Sequence, residues 1–268
     1  MIPTLISSST PPRTKKAGNF RIHLDPRISA NQLAQYVVSE PSKQESIVRN
    51  AKRMSKIKVA NYQPARIAVS KSFDGNGLNA DILSAEAERM ETEIFFEPFE
   101  DACNKLSAAS LRKLAPLVSG IDCQGVKIPR PARAFDHLLM EDVRVSVQPE
   151  VVFSMVHRGA TRFGGVMVNF SKGEASSLSR KSGKYTAGDY AAFLVFQMLA
   201  LHFGQQGGPR YANCFAVDVY RDEIYSAPQS HVTMLKNVQA ACRMIALQWN
   251  TMIDDDGDPI SSDEEVIF

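Results

Sequence analysis

The sequence predicts an α/β fold of the α+β kind, with a mixed central sheet flanked by helices. Helix-period segments fill the first half of the chain, strand-period segments follow in the second, and a long apolar helix separates two groups of strands. Hydrophobic residues make up 44% of the 268 residues and charged residues 22%, as in ordinary globular proteins. We therefore expect a folded core, a small basic helical appendage before it and a disordered acidic tail after it.

The N-terminal part of the chain is predicted to lie outside the core. Residues 1–20 contain three prolines and few apolar side chains, so we expect a disordered arm. Residues 21–62 are predicted to form two short helices, the first capped by Ser29 and the second by a capping box of Ser42 and Glu45. The second helix carries many basic residues, which gives the appendage one basic face.

The core is predicted over residues 63–253. A helical and initially acidic stretch comes first, at 79–118, and alternating valines then predict a strand at 143–147. Apolar runs at 151–153 and 166–170 predict two further strands that pair with each other. The first half of the core is thus expected to be helical and the second half to supply the sheet.

A buried helix and a hairpin are predicted to complete the core. Thr186 and Asp189 form a capping box ahead of an apolar helix over 190–203. A strand hairpin at 214–225 and an amphipathic helix at 231–249, expected to pack on the sheet, follow. Residues 254–268 are predicted to be a disordered tail, with seven acids and no base in 254–265.

Several classes of protein are disfavoured by the composition. No run of eighteen apolar residues occurs, and the first ten residues lack the basic and apolar regions of a signal peptide. The four cysteines form no C-x-x-C pair, so neither a zinc knuckle nor a disulfide framework is expected. The expectation is a cytoplasmic protein that neither spans nor binds a membrane.

Charge is segregated along the chain. Residues 1–60 hold eleven Lys or Arg against three Asp or Glu, which predicts a nucleic-acid or other phosphate-rich partner, although a solvated surface explains it almost as well. Basic residues in the loop before the helix start at Thr186 are a second phosphate-contact candidate; an ordinary flexible loop is the favoured alternative. The nucleic-acid-binding candidates are Lys43, Arg49, Lys52, Arg53, Lys56, Lys58, Arg180, Lys181 and Lys184. His157, Arg158 and Arg162 are a weaker candidate, for which a solvated loop is favoured.

Over roughly residues 80–225 the predicted order of elements is helix, three strands, helix, strand, and Pro149-Glu150 lies directly before the second of these strands. This order resembles the core of the PD-(D/E)XK nuclease-like superfamily, and Pro149-Glu150 stands where that family has a proline-acid motif. The resemblance implies catalytic roles for Glu150, Lys172 and a helix glutamate, Glu86 or Glu93. It also implies a Mg²⁺ ion, held in part by Glu150, that polarises a phosphate and helps to activate water.

The third strand departs from that family's pattern. Lys172 is present, but Phe170 stands two residues before it, where the family has an acid, and the neighbouring Asn169 offers only a neutral oxygen. A site with one carboxylate fewer should bind Mg²⁺ more weakly. A degenerate member that does not cleave is therefore as compatible with the sequence as an active nuclease.

Three functions follow from these patterns. The first is a nucleic-acid-associated protein with a nuclease-like core, active or decayed. The alternative is a non-enzymatic adaptor or assembly component that binds another protein through its charged termini. A third hypothesis is a small-molecule enzyme with a pocket lined by Asp218, Tyr220 and Tyr225, although none of the common nucleotide-binding, esterase or zinc-protease motifs occurs.

Overall fold

The chain folds as a mixed α/β protein, as the sequence predicts. A computed structural model describes residues 14–17, 20–55, 62–94, 96–129, 137–171, 178–179 and 181–252. The α-helices within these ranges are α1 (Ala30–Val37), α2 (Pro41–Lys52), α3 (Gln63–Ser72), α4 (Ala80–Thr92), α5 (Pro98–Leu114), α6 (Ala187–Phe203) and α7 (Val232–Thr251). The predicted acidic tail lies outside the described residues.

Strands occur in both halves of the chain. They are β1 (Thr14–Ala17), β2 (Phe20–His23), β3 (Arg27–Ser29), β4 (Arg53–Ser55), β5 (Val126–Lys127), β6 (His137–Met140), β7 (Val143–Ser146), β8 (Val151–His157), β9 (Ala160–Asn169), β10 (Lys181–Ser182), β11 (Tyr185–Thr186), β12 (Pro209–Asp218) and β13 (Glu223–Ser226). The largest sheet has the order β13-β12-β9-β8-β5, and a smaller sheet has the order β3-β7-β6. The remaining strands form β1-β2-β4 and β10-β11.

The five-stranded sheet is the centre of the molecule. β8 and β9 pair antiparallel with Val151 opposite Val166, which confirms the predicted pairing of the two apolar runs. β12 runs parallel to β9, and α6 is the helix between them along the chain. β12 and β13 form the predicted hairpin. Because β9 and β12 are parallel, their carboxyl ends lie at the same edge of the sheet.

The alternation of side chains along the strands divides the core into two halves. Val166 and Val168 of β9 pack with α3, α4 and α5 on one face, whereas Met167 packs with α6 on the other. Helix α6 begins at the predicted Thr186 capping box, in which Thr186 and Asp189 bond reciprocally, and most of its side chains are buried. A helix that is apolar nearly all round needs such a covered position.

The predicted appendage is part of the core, which corrects the domain prediction. β3 pairs in parallel with β7, and Leu33 of α1 and Val48 of α2 are fully buried in the same cluster as α6. Ser29 caps α1 as predicted. The apolar faces of these short helices were correctly identified, but periodicity does not say which surface such a face covers.

Two further boundaries differ from the prediction. β1 lies within the predicted arm and pairs with β2, so ordered chain begins before residue 20. Helix α2 begins at Pro41 after an N-cap at Glu40, and not at the predicted capping box of Ser42. Proline fits the first helical position because its missing amide hydrogen has no partner there in any case.

The last helix occupies nearly the predicted range. It packs on the smaller sheet through β7 and against α1 and α2. The sequence spacing predicts an inward face that includes Val232, Val238, Cys242, Ile245 and Trp249. The last four are buried, but Val232 is 62% exposed, and Met234 is buried instead. The indole nitrogen of Trp249 donates a hydrogen bond of 3.2 Å to the carbonyl oxygen of His23, and this bond connects α7 to β2.

Candidate functional site

Two residues that the nuclease resemblance singles out, Glu150 and Asn169, lie with Asp218 at one edge of the central sheet, which we call the carboxyl edge. Glu150 directly precedes β8, Asn169 ends β9, and Asp218 ends β12. Antiparallel pairing of β8 with β9 brings the start of one strand beside the end of the other. The carboxyl ends of parallel strands are also where ligands usually bind in α/β proteins.

The carboxylate of Glu150 is buried and bound by protein groups. Its side chain is 2% exposed. One oxygen, Oε2, accepts a hydrogen bond of 2.7 Å from the backbone amide of Val168, and the other forms an ion pair with the guanidinium of Arg66 on α3. A buried charge requires such compensation, because desolvation is costly. Glu150 thus links the central sheet to α3.

Phe170 occupies the position where the nuclease family has an acid, and it is a core residue. Its side chain is 2% exposed and stacks on Tyr62, with ring centroids 5.8 Å apart. The guanidinium carbon of Arg66 lies 5.6 Å from the centre of the Phe170 ring. Arg66 therefore contacts both Phe170 and Glu150.

The glutamates predicted on the preceding helix are engaged elsewhere. Glu86 on α4 pairs with Arg89 at 3.1 Å and lies 4.0 Å from Lys71 on α3, while Glu93 also pairs with Arg89. No described contact joins Glu86 or Glu93 to Glu150. Lys172 lies outside the described residues, so its predicted role has no structural account.

Mg²⁺ fits the described residues of this edge poorly. Mg²⁺ prefers several oxygen ligands in octahedral geometry. One Glu150 oxygen, however, already pairs with the Arg66 guanidinium, and the other accepts a hydrogen bond from the Val168 amide. Across the described ranges, no group of three or more His, Cys, Asp or Glu side chains is placed to hold a metal ion. Glu150, the predicted Mg²⁺ ligand, is thus paired with Arg66.

Asp218 and Asn169 form a second buried network at the carboxyl edge. Asp218 accepts hydrogen bonds from the amides of Leu178 at 2.9 Å and Tyr220 at 3.2 Å. The Asn169 amide nitrogen lies 3.5 Å from the same carboxylate. Burial raises the pKa of Asp218, and these hydrogen bonds oppose the rise. The network fixes the chain segments that leave β9 and β12.

The pocket predicted from Asp218, Tyr220 and Tyr225 is not assembled, because the two tyrosines pack on opposite faces of the sheet. The Tyr220 hydroxyl lies 2.9 Å from the Ser110 hydroxyl on α5, whereas Tyr225 donates a hydrogen bond of 2.5 Å to Glu223. Burial, with a smaller contribution from Tyr220, raises the pKa of Tyr62 to about 12. The raised pKa keeps the Tyr62 hydroxyl protonated at neutral pH.

Two of the basic residues predicted to bind nucleic acid on α2 have protein partners. Lys52 is buried, and its ammonium donates to the carbonyl oxygens of Trp249 at 3.3 Å and Met252 at 2.8 Å. Cations stabilise helix C-termini in this way, so Lys52 caps α7 and the prediction of a phosphate contact is corrected. Arg49 pairs with Glu45 at 2.8 Å.

The other predicted basic residues are dispersed. Lys43 is half-buried on α2 and Arg53 is half-buried in β4. Lys181 and Lys184 are exposed in the β10–β11 hairpin, and the Lys184 ammonium lies 5.5 Å from the Tyr185 ring centre. Three predicted residues lie outside the described ranges: Lys56, Lys58 and Arg180.

A denser group of basic side chains lies at the opposite end of the central sheet. We call it the basic tip, and it consists of His157, Arg158, Arg162 and Arg210. Arg162 donates to the carbonyl oxygen of Gly207, and Arg210 donates to Asn213 at 3.2 Å. Partial burial, followed by the positive charges of Arg210, Arg158 and Arg162, lowers the pKa of His157. His157 is therefore neutral at pH 7 beside three permanent positive charges.

The sequence matches no protein-family model and no curated protein. Within the described ranges, every helix is too short or too polar to cross a membrane. The geometry of the chain itself is therefore the basis for a functional proposal.

Sequence reasoning identified three residues of the basic tip as its weaker phosphate candidate and missed Arg210. Arg210 is close to the hairpin only because β12 begins beside β9, with Pro209 opposite Phe163. The parallel pairing of two strands joined by α6 carries no local signal for that proximity. The dipeptide Arg158-Gly159 could have pointed to this site, because it forms a two-residue turn with an arginine where hairpins prefer asparagine, aspartate or glycine.

Proposed function

We propose that this is a nucleic-acid-associated protein whose nuclease-like core binds phosphate backbone without cleaving it. The observation that carries the proposal is the basic tip, where three arginines and His157 from β8, the β8–β9 turn, β9 and β12 converge at one end of the sheet. The charges that act on His157 are all positive. Such a cluster attracts a polyanion, and counterion release on phosphate contact supplies much of the binding free energy.

The nuclease-like part of the proposal is supported by the order of elements around the central sheet. Helix α5 is followed by β5, β8 and β9, then by α6, and then by β12, which is parallel to β9. The strand predicted at 143–147 as the first of the three is β7, which belongs with β6 to the smaller sheet, and β5 occupies that position beside β8. The absence of cleavage is inferred from Glu150 and Phe170, since the first pairs with Arg66 and the second is an apolar core residue.

The cytoplasm remains the proposed compartment. All four cysteines are buried free thiols. Burial raises the pKa of Cys123 to about 11 and of Cys242 to about 12, so both are protonated and unreactive at neutral pH. Unpaired thiols are usual in proteins that are kept in a reducing compartment.

The binding test is a salt titration of the affinity for a fluorescent duplex DNA, measured by anisotropy. We expect the logarithm of affinity to fall linearly with the logarithm of salt concentration, with a slope of about 0.9 per phosphate contacted. Arg158→Gln and Arg210→Gln should each weaken binding and reduce that slope by roughly one. Arg243→Gln on α7 is the matched control, because Arg243 is an exposed arginine on another element. Absence of binding, or binding that is indifferent to salt, would refute the proposal.

A separate assay tests the non-cleaving half. Single- and double-stranded DNA and RNA are incubated with the protein and Mg²⁺ or Mn²⁺, and Glu150→Gln serves as the comparison. We expect no cleavage that distinguishes the wild type from the variant. Metal-dependent cleavage by the wild type alone would mean that Glu150 is released from Arg66 and that the enzyme is active.

A protein-binding function has one specific observation in its favour. The loop between α4 and α5 and the first turn of α5 expose three apolar side chains, since Ile94 is 82%, Phe96 95% and Phe99 49% exposed. Exposed apolar groups of this size are typical of interfaces. Unlike the adaptor predicted from the charged termini, this one would use a loop of the described core.

The two functions are separable by mutation. Under the adaptor hypothesis, Phe96→Ser with Phe99→Ser abolishes a stoichiometric protein complex that resists nuclease treatment, and it leaves DNA affinity unchanged. Under the nucleic-acid hypothesis, the substitutions at Arg158 and Arg210 are the damaging ones. A complex that survives the double phenylalanine variant would rule out this loop as the interface.

A further inference from the structure

The β8–β9 hairpin extends past its neighbouring strands. β5 pairs with β8 only at Phe153 and Ser154, and the pairing of β12 with β9 begins at Phe163. Beyond those points Met155, Val156 and His157 pair with Arg162, Thr161 and Ala160. These three pairs and the turn between them form a two-stranded ribbon, roughly 10 Å long at 3.3 Å per residue, and among the described residues no third strand flanks it.

The two faces of this ribbon differ in chemistry. Val156 lies opposite Thr161, so these two share one face, and Val156 is 78% exposed while Thr161 is also exposed. His157 and Arg162 share the other face, and Arg162 donates to the Gly207 carbonyl oxygen beside Arg210. One face therefore offers methyl groups, and the other offers positive charge.

The turn at the end of the ribbon is held in a disfavoured conformation. Arg158 has φ of 51° and Gly159 has φ of 76°. Two residues with positive φ are typical of the type I′ turn, which favours Asn-Gly or Gly-Gly and fits the twist of a hairpin. An arginine in the left-handed region is uncommon, and such conformations are concentrated at functional sites. The turn places its guanidinium at the extreme end of the ribbon.

The backbone segment at Gly207 contacts the base of the ribbon. Gly207 has φ of 120°, and a Cβ atom added there would lie 2.1 Å from the carbonyl oxygen of Thr161. The chain before β12 thus lies directly against β9, and the Gly207 carbonyl oxygen accepts the hydrogen bond from Arg162. The ribbon is therefore fixed at its base by contacts from a separate segment of the chain.

Resting on the proposed function, we propose that this ribbon enters the major groove of double-stranded DNA, with its methyl face toward the bases and with Arg158 in the turn and Arg210 beside the ribbon toward the phosphates. The major groove of B-DNA is about 12 Å wide and admits a two-stranded β-ribbon. Valine and threonine methyl groups suit the thymine methyl group there, whereas arginines reach phosphates. Double-stranded RNA has a major groove too narrow for such a ribbon, and a single strand has no groove.

The test compares three ligands of one sequence at a single salt concentration: duplex DNA, duplex RNA and single-stranded DNA. We expect the wild type to bind duplex DNA roughly tenfold or more tightly than the other two, because only that ligand has a groove of suitable width. Val156→Ser changes no charge, and it should weaken duplex DNA binding by roughly fivefold without changing the salt slope. Val232→Ser on α7 removes another exposed valine, which is 62% exposed, and should have no effect.

The outcomes separate this inference from the function on which it rests. If no nucleic acid binds, the proposed function itself fails. If all three ligands bind with equal affinity, or if Val156→Ser binds duplex DNA like the wild type, nucleic-acid association stands and insertion of the ribbon into the groove is wrong. Both substituted valines are exposed, so circular dichroism should show an unchanged fold.

Discussion

The two ends of strand β8 carry opposite arrangements of charge. At its start, the Glu150 carboxylate is buried, paired with Arg66 and bonded to the Val168 amide. At its other end, roughly 20 Å away along seven residues, His157 lies beside three arginines from other positions in the sheet. A family resemblance points to the first end, but its charge is neutralised within the protein. The second end has no such motif, yet it gathers three arginines around His157.

The largest expected effect tests the structural role of Glu150. Glu150→Ala leaves Arg66 without its carboxylate and the Val168 amide without an acceptor, so we expect the free energy of unfolding to fall by about 3 kcal/mol. Urea denaturation measures the change. Glu45→Ala breaks the exposed pair with Arg49 and should cost no more than about 0.5 kcal/mol. A change at Glu150 as small as the control would contradict a structural role.

The second prediction concerns the brace of the basic tip. Gly207→Ala would place a methyl group 2.1 Å from the Thr161 carbonyl oxygen at a φ of 120°, and we expect a loss of roughly 2 kcal/mol in unfolding free energy together with weaker DNA binding. Gly204→Ala is the control, because a Cβ atom there would meet nothing within 4 Å. Equal stability of the two variants would mean that the segment before β12 does not fix the ribbon.

Two histidines near arginines, His137 and His157, are expected to contribute differently to the pH dependence of stability. Burial, followed by the charges of Arg27 and Arg144, lowers the pKa of His137 from 6.5 to about 4. The unfolded chain then takes up the proton first, so stability is highest above pH 6.5 and falls by roughly 2 kcal/mol as the pH approaches 4. In urea titrations at several pH values, His137→Gln should remove this part of the pH dependence. His157→Gln should remove much less, and an equal effect of the two would contradict the distinction.

The smallest expected effect concerns the turn of the basic tip, where stability and binding should change in opposite directions. Arg158→Asn places a residue that tolerates positive φ in the type I′ turn, so we expect the free energy of unfolding to rise by about 0.5–1 kcal/mol. DNA affinity should fall, because a phosphate contact is lost. Thermal unfolding and anisotropy measure the two changes. A variant that is less stable than the wild type would show that Arg158 makes contacts that support the fold.

Much of the fold was predictable from local patterns, but the composition of the candidate site was not. Periodicity correctly located the paired strands β8 and β9, the capped helix α6 and the β12–β13 hairpin. The same patterns assigned Lys52 to a basic surface, although it caps α7 about 200 positions later in the chain. The spacing of hydrophobic residues indicates that one face of a helix is buried, but it does not indicate which part of the protein covers that face.

By itself, the sequence determined the class of fold, the strand and helix periods and the caps, because each depends on residues a few positions apart. Only the tertiary structure decided that the N-terminal helices belong to the core, that Arg66 pairs with Glu150, and that Arg210 joins the β8–β9 hairpin. Those contacts connect segments that are far apart in sequence. Their closeness depends on how whole elements pack, and no local pattern of residue types records it.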